Sequence, residues 1–242
     1  MRNPKYDRRF YDNQRVNSYN SARIVLTFLF GVYQPKSIVD FGCGVGTWLA
    51  AANELSGGAG EYVGIDGDWG DKRERLPTYV DYVPHDLSKP IELGKKFDLA
   101  MSLEVAEHLP ATAAQQFVHT IASSSDVVLF GAAVPGQGGV GHINEQYQSY
   151  WIALFADQGF LCFDIVRPQF FSDSRVGVAY RQNAFIYIKE NSSAANLFDR
   201  SALVNKTMMD VIHPTVFERY TKGVRSNRYL LRKMLRNALL RR

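Results

Sequence analysis

The stretch Ser37-Ile-Val-Asp-Phe-Gly-Cys-Gly-Val-Gly-Thr47 runs from an apolar segment through an acid into three glycines at alternate positions. A short apolar run bounded by glycine reads as a buried strand, and the apolar spacing from Thr47 to Leu55 reads as a helix. Strand, bare turn and helix in that order make the first unit of an open parallel sheet, whose ligands bind at the carboxyl edge. The helix start offers unpaired backbone N–H groups there, and glycine lets a ligand approach them closely.

The same alternation continues along the chain. Strands are predicted over 37–41, 61–66, 79–83, 97–103, 126–130, 160–166 and 179–188, with helices over 47–55, 111–123 and 146–158. No clear helix separates the last two strands, so the final strand is expected to return antiparallel. The expected fold class is α/β: a Rossmann-like, seven-stranded, mostly parallel sheet with an antiparallel last strand, helices on both faces and a helical C-terminal extension. A chain of 242 residues suits one such domain plus an appendage. The division expected is 1–190, with an N-terminal helical segment, and a basic helical extension over 191–242.

Composition narrows the classes further. Only Cys43 and Cys162 are present, which excludes a disulfide framework and a four-thiolate zinc site. The first residues lack the apolar core of a signal peptide and no run reaches the length of a membrane span, so a cytoplasmic protein is expected. The net charge of +4 is uneven: nine of the 28 Lys and Arg lie in 219–242, which holds no acid, and the rest of the chain is net acidic. The high isoelectric point is therefore no nucleic-acid signature.

The glycine turn selects its ligand by charge. Thr47 stands where a dinucleotide site has its third glycine, and Asp40 would repel a pyrophosphate. Asp40, Gly42, Cys43, Gly44, Gly46 and Thr47 suit a ligand with both a carboxylate and a cation, the amides taking the first and the acid lying near the second. Asp66, at the tip of the second strand before Gly67, can accept from both hydroxyls of a ribose. Trp69 is a candidate wall for a base, and Asp86, followed by Leu87, a candidate partner for its amino group.

The fourth strand ends in Leu103-Glu104-Val105-Ala106-Glu107-His108, with two carboxylates and an imidazole at the ligand edge, where Leu103 and Glu104 are candidate cofactor contacts. Residues three and four apart share a helical face, so Glu104, Glu107 and His108 can converge. Such a set suits magnesium, manganese or zinc with positions left for a substrate oxygen. Alternatively, the acid touches cofactor or helix amides and the histidine simply packs. The loop after the fifth strand, Ala133-Val-Pro-Gly-Gln-Gly-Gly-Val-Gly-His-Ile-Asn-Glu145, reads as a lid with His142 as general base or fourth metal ligand. Alternatively, His142 and Asn144 cap a helix starting near Glu145.

The glycine motif resembles the first motif of class I S-adenosylmethionine-dependent methyltransferases. With Glu104-x-x-Glu107-His108 and His142-Ile-Asn-Glu-Gln146, it resembles two groups within that fold. Bacterial methyltransferases of sugar and surface-polysaccharide assembly are similar over nearly the whole body, from Tyr11 to Asn183. The RNA 3'-terminal ribose methyltransferases are similar in these motifs only; there the residues hold a divalent ion against a ribose diol. The resemblance implies S-adenosylmethionine as donor, a divalent metal at Glu104, Glu107, His108 and His142, and catalysis by His142, His108 and Glu104. The acceptor it implies is a sugar or glycan hydroxyl, with nucleic acid the poorer partner; a cofactor-binding subunit without catalysis is the third class.

The tail carries a separate signal. Leu231, Met234, Leu235, Ala238 and Leu239 fall on one helical stripe with Arg228, Arg232, Lys233 and Arg236 largely off it. A basic amphipathic helix of this kind suits an anionic membrane surface or a glycosyltransferase partner, which would hold the protein peripherally at the inner membrane face. The competing readings are a groove for RNA and an ordinary helix packed on the body with a solvated basic face.

Overall fold

The computed structural model describes residues 8–67 and 76–223, with side chains from Val16 onward. Trp69 and the apolar stripe of the tail lie outside the described residues. The chain begins with α1 (Arg8–Phe30) and continues through β1 (Ser37–Phe41), α2 (Thr47–Leu55), β2 (Glu61–Asp66), β3 (Val80–Pro84) and β4 (Leu99–Leu103). After two 3₁₀ turns come α3 (Ala114–Ser124), β5 (Val127–Gly131), α4 (Gln148–Asp157), β6 (Phe160–Phe163), α5 (Val166–Phe170), α6 (Val178–Asn183) and β7 (Phe185–Lys189).

The seven strands form one sheet in the order β3-β2-β1-β4-β5-β7-β6. Strands β1 to β5 are parallel, and β7 runs antiparallel to both β5 and β6. Chain direction reverses its spread between β1 and β4, which creates the crevice where such sheets bind ligands. The glycine turn, the tip of β2 and the end of β4 all open on that crevice.

Strand residues alternate between two apolar layers, as the period of two requires. Ile38, Leu99, Met101, Leu129 and Ile186 face α1, α2 and α5, while Val39, Ala100, Val128, Phe130 and Phe185 face α3 and α4. Helix α1 is integral to the first layer: Ala22, Val25, Leu26 and Leu29 are all buried. At about 1.5–3 kcal/mol for each large aliphatic side chain, their burial is comparable to the whole net stability of a domain.

Three expectations shift. The strand read over 160–166 stops at Phe163, and the strand read from 179 starts at Phe185. The intervening chain, expected to lack helix, forms α5 and α6. Tertiary contacts hold α6: Tyr180 bonds Ser18, Gln182 Nε2 donates to Val211, and Asn183 donates to Glu104. The stretch after 190 is also part of the body as far as it is described. Ala194 and Phe198 enter the first layer, Leu203 bridges to Phe163, and Val216 is buried in a helix over 214–223. No helix among the described residues is long and apolar enough to cross a membrane.

Candidate active site

The three glycines of the turn all have positive φ, at 86°, 57° and 74°, but for different reasons. A Cβ on Gly42 would strike Val105, and one on Gly46 would fall 2.8 Å from Leu76. Gly44 alone faces open space, so clearance for a ligand is specific to it. Gly46 begins α2 without a side-chain cap, which leaves the amides of its first turn available. Asp66 locks the turn to β2: Gly44 N donates to its Oδ2 at 2.8 Å, and Gly67 N to its Oδ1 at 2.7 Å.

A cleft of about 1000 Å³ opens beside this turn, lined among others by Gly42, Asp66, Gly67, Asp86, Leu87, Glu104 and His108. Asp86 is exposed at the mouth, where the Ser88 hydroxyl and amide hold its pKa below the usual range. Other expected contacts turn away. Cys43 packs against Gly64, Leu103 packs into the first apolar layer, and Thr47 bonds Ser18 of α1 at 3.1 Å. Ser18 in turn bonds the Tyr180 hydroxyl at 3.0 Å, tying α1, the glycine turn and α6 together.

Asp40 is buried, and its carboxyl accepts no hydrogen bond from any described residue. Burial, reinforced by the negative Asp66, pushes its pKa up to about 8. A buried carboxyl in that state is a receptor for a cation, which would restore its charge.

Glu104 is the only described residue other than glycine with positive φ, at 58°. Such strain marks a conformation that the surroundings impose. Asn183 Nδ2 donates to its Oε1 at 2.7 Å, Gln137 Nε2 donates to its Oε2 at 2.5 Å, and Asn183 Nδ2 also donates to Gln137 Oε1 at 2.9 Å. Burial raises the Glu104 pKa against the pull of these amides. Neither Gln137 nor Asn183 was recognisable as a site residue, since each side chain acquires its partner only when β4, the loop and α6 meet.

Glu107 lies deeper. Its side chain is fully buried, and neither carboxylate oxygen has a hydrogen-bond partner among the described residues. Burial, then the nearby Glu104, push its pKa up to about 9. The loop returns directly to it: the amides of Ile143 and Asn144 donate to the Glu107 carbonyl at 2.9 and 3.0 Å, which brings His142 Nε2 to 4.0 Å from Glu107 Oε1. The imidazoles of His108 and His142 meet edge to face with centroids 4.9 Å apart. Burial and the neighbouring His142 lower the His108 pKa. Neither His142 nor Asn144 caps a helix, because α4 begins only at Gln148.

One ligand atom each from Glu107, His108 and His142 lies within 4.8 Å of the others. A buried carboxylate without partners, facing two imidazoles, fits a divalent cation, whose charge would offset the burial of the acid. Two nitrogens and an oxygen favour zinc or manganese over magnesium, which prefers oxygen throughout. Glu104 stands apart from this trio, engaged by Asn183 and Gln137.

Comparison with known proteins identifies the family and the fold. A family model described as a methyltransferase domain matches residues 13–167, more than half of the chain. The sugar N-methyltransferase KedS8 from Streptoalloteichus sp ATCC 53650 superposes with a TM-score of 0.57 at 16% identity, covering 74% of this chain and 91% of that one. CalS10 from Micromonospora echinaspora, an amino pentose methyltransferase solved with S-adenosylmethionine bound, gives 0.56 at 14% identity over 76% of this chain and 98% of its own. The methyltransferase domain of bacterial CtHen1-C gives 0.53 at 16% identity over 71% and 98%. A sequence comparison with curated proteins finds no match. These likenesses carry the fold, and the matched family carries the chemistry: the chain belongs to the S-adenosylmethionine-dependent methyltransferases.

Proposed function

We propose that this methyltransferase O-methylates a sugar or glycan, at a hydroxyl whose neighbouring oxygen is held beside the Glu107, His108 and His142 cluster. The observation that carries the reading is Glu107: a fully buried carboxylate with both oxygens unpartnered, next to two imidazoles and one residue from the cleft wall at His108. On this reading Gly44 gives the donor's methionine end access to the backbone, Asp40 meets its cationic end, and Asp66 accepts from the ribose hydroxyls. A divalent ion at the cluster would polarise a hydroxyl oxygen and lower its pKa.

The chain itself supplies alignment. The acceptor oxygen attacks the methyl carbon in line as the carbon–sulfur bond gives its electron pair to sulfur, and the oxygen's proton leaves to solvent at the cleft mouth beside exposed His108. Holding the two reactants in that line is worth several kcal/mol, on the order of 7–11 at best. Gln137 and Asn183, clamped on Glu104, keep the loop over the junction of donor and acceptor.

The terminal ribose of RNA offers the same diol, and the Glu-x-x-Glu-His motif with His142 favours it as the second reading. Labelled donor is to be incubated with sugar nucleotides, free glycans and RNA 3' ends, before and after chelation and with zinc or manganese restored. Transfer to a sugar, lost on chelation and regained with metal, is expected. Transfer to RNA alone would replace the sugar reading, and full activity in excess chelator would return His142 Nε2 to the role of general base. The basic composition of the tail supports an acceptor near a membrane, with the basic residues beyond 223 binding anionic lipid.

A further inference from the structure

The loop between β5 and α4 is organised around one carboxylate that neither lines the cofactor cleft nor belongs to the metal-ligand trio. Glu145 Oε1 accepts from Gly138 N at 2.7 Å and from His142 Nδ1 at 2.8 Å, and its Oε2 accepts from Gly136 N at 2.8 Å. A carboxylate receiving two amides and an imidazole can only accept, so Nδ1 of His142 carries a proton, and in the neutral ring Nε2 keeps the lone pair. That lone pair is the one facing Glu107.

The glycines complete the fixture. A Cβ on Gly139 would lie 2.0 Å from His142 Nε2, so the bare backbone at 139 leaves the space that this nitrogen occupies. Gly141 presents its carbonyl to His108 Nδ1 at 3.3 Å, which leaves Nε2 of the second imidazole as its lone pair also. Glycine is required at 136, 138 and 141 for another reason, their positive φ of 86°, 70° and 80°. The loop thus wraps the imidazole pair, and the Glu145 hydrogen bonds hold it in that shape.

We propose that Glu145 is a positioning residue that makes loop closure and imidazole alignment a single event: the same carboxylate that draws Gly136 and Gly138 inward sets the tautomer and direction of His142. With the loop open, the amides and the imidazole lose their common acceptor together, and the Nε2 lone pair no longer faces Glu107. The cluster is therefore complete only when the loop covers the acceptor. The role rests on the proposed reading of His142 as a working imidazole, but its structural consequence does not depend on which acceptor is methylated.

The test uses the full chain saturated with S-adenosylmethionine, comparing wild type with Glu145→Gln, Glu145→Ala and Gly139→Ala. Imidazole nitrogen resonances in metal-free protein, assigned through loss of signal in His142→Asn, report the tautomer. Thermolysin cleavage before Val140 or Ile143 reports loop closure, and calorimetry with zinc and with manganese reports the cluster. Donor affinity, measured alongside, verifies that each variant is folded. Wild type is expected to show a proton on Nδ1 of His142 and a protected loop. Glu145→Ala should mix the tautomers, speed cleavage and weaken metal binding about 10–100-fold, with Glu145→Gln between the two. Gly139→Ala should keep the loop protected while losing the metal, because its methyl displaces only the ring. An unchanged tautomer and unchanged cleavage in both Glu145 variants would overturn the inference. Metal affinity retained in Gly139→Ala would overturn the placement of His142. A wild type that binds neither zinc nor manganese would remove the metal reading alone, with the tautomer and cleavage comparison still deciding the role of Glu145.

Discussion

At Asp40 burial favours the protonated carboxyl, and on the proposed reading the cationic donor favours the ionised one. Its pKa of about 8, against a usual 3.8, means that the folded protein holds a proton there which the unfolded chain has released. A raised folded pKa contributes stability that is full below about pH 4 and is lost as pH rises through about 8. Asp40→Asn should remove this part of the slope, so that donor-free wild type loses ground to the variant between pH 4 and 8 in urea titrations. A cationic donor favours the ionised form, so its binding at pH 7 should expel a proton. Calorimetry in buffers of different ionisation enthalpy should show up to one proton released by wild type and fewer by Asp40→Asn. Equal release by the two would separate the cationic group from Asp40.

The elements at the carboxyl edge meet through glycine. Gly136 of the loop lies under Tyr220 of the helix over 214–223, and a Cβ there would come 2.8 Å from the tyrosine ring. With φ at 86°, Gly136→Ala carries two penalties: a backbone cost on the order of 1 kcal/mol and a clash with the ring. Urea denaturation should show a loss of about 1–3 kcal/mol, and adding Tyr220→Ala should relieve the steric part while leaving the backbone part. Strict additivity of the two changes would mean that the helix does not rest on the loop. The contact sets the helix over 214–223 against Gly136, whose amide Glu145 accepts.

Across the whole molecule, acid is concentrated in the body and base at the C-terminus. Tyr220 belongs to the fold, so the truncation that tests the tail begins after it: deletion of 224–242 should leave donor binding intact. It should also abolish co-sedimentation with anionic vesicles, which near the lipid is worth roughly 1 kcal/mol for each basic residue. Vesicle binding by the truncated chain, or none by the intact one, would end the membrane reading. Methyl transfer to a soluble acceptor is expected to survive the deletion, since the residues assigned to donor, cluster and loop all precede 224.

The order of elements, the parallel sheet and the place of the ligand edge are legible in the sequence because each rests on local period and turn chemistry. Apolar runs between glycines become buried strands whatever surrounds them, and Gly42 to Gly46 can adopt their left-handed angles without outside help. Glu104, Glu107, His108 and His142 are visible as candidates for a related reason: strong ligand types stand at strand ends. Tertiary structure decides what each of them does. It gives Glu104 to Asn183 and Gln137, leaves Glu107 without a partner beside two imidazoles, and assigns two of the three motif glycines to packing against Val105 and Leu76. It also makes helix of 178–183, where Val, Ala and Tyr suggest a strand, because the contacts that fix Tyr180, Gln182 and Asn183 come from residues about 30 to 160 positions away. Hydrogen-bond partners and burial are properties of chains brought together, so a list of residue types can nominate a site but only the packed fold can distribute its roles.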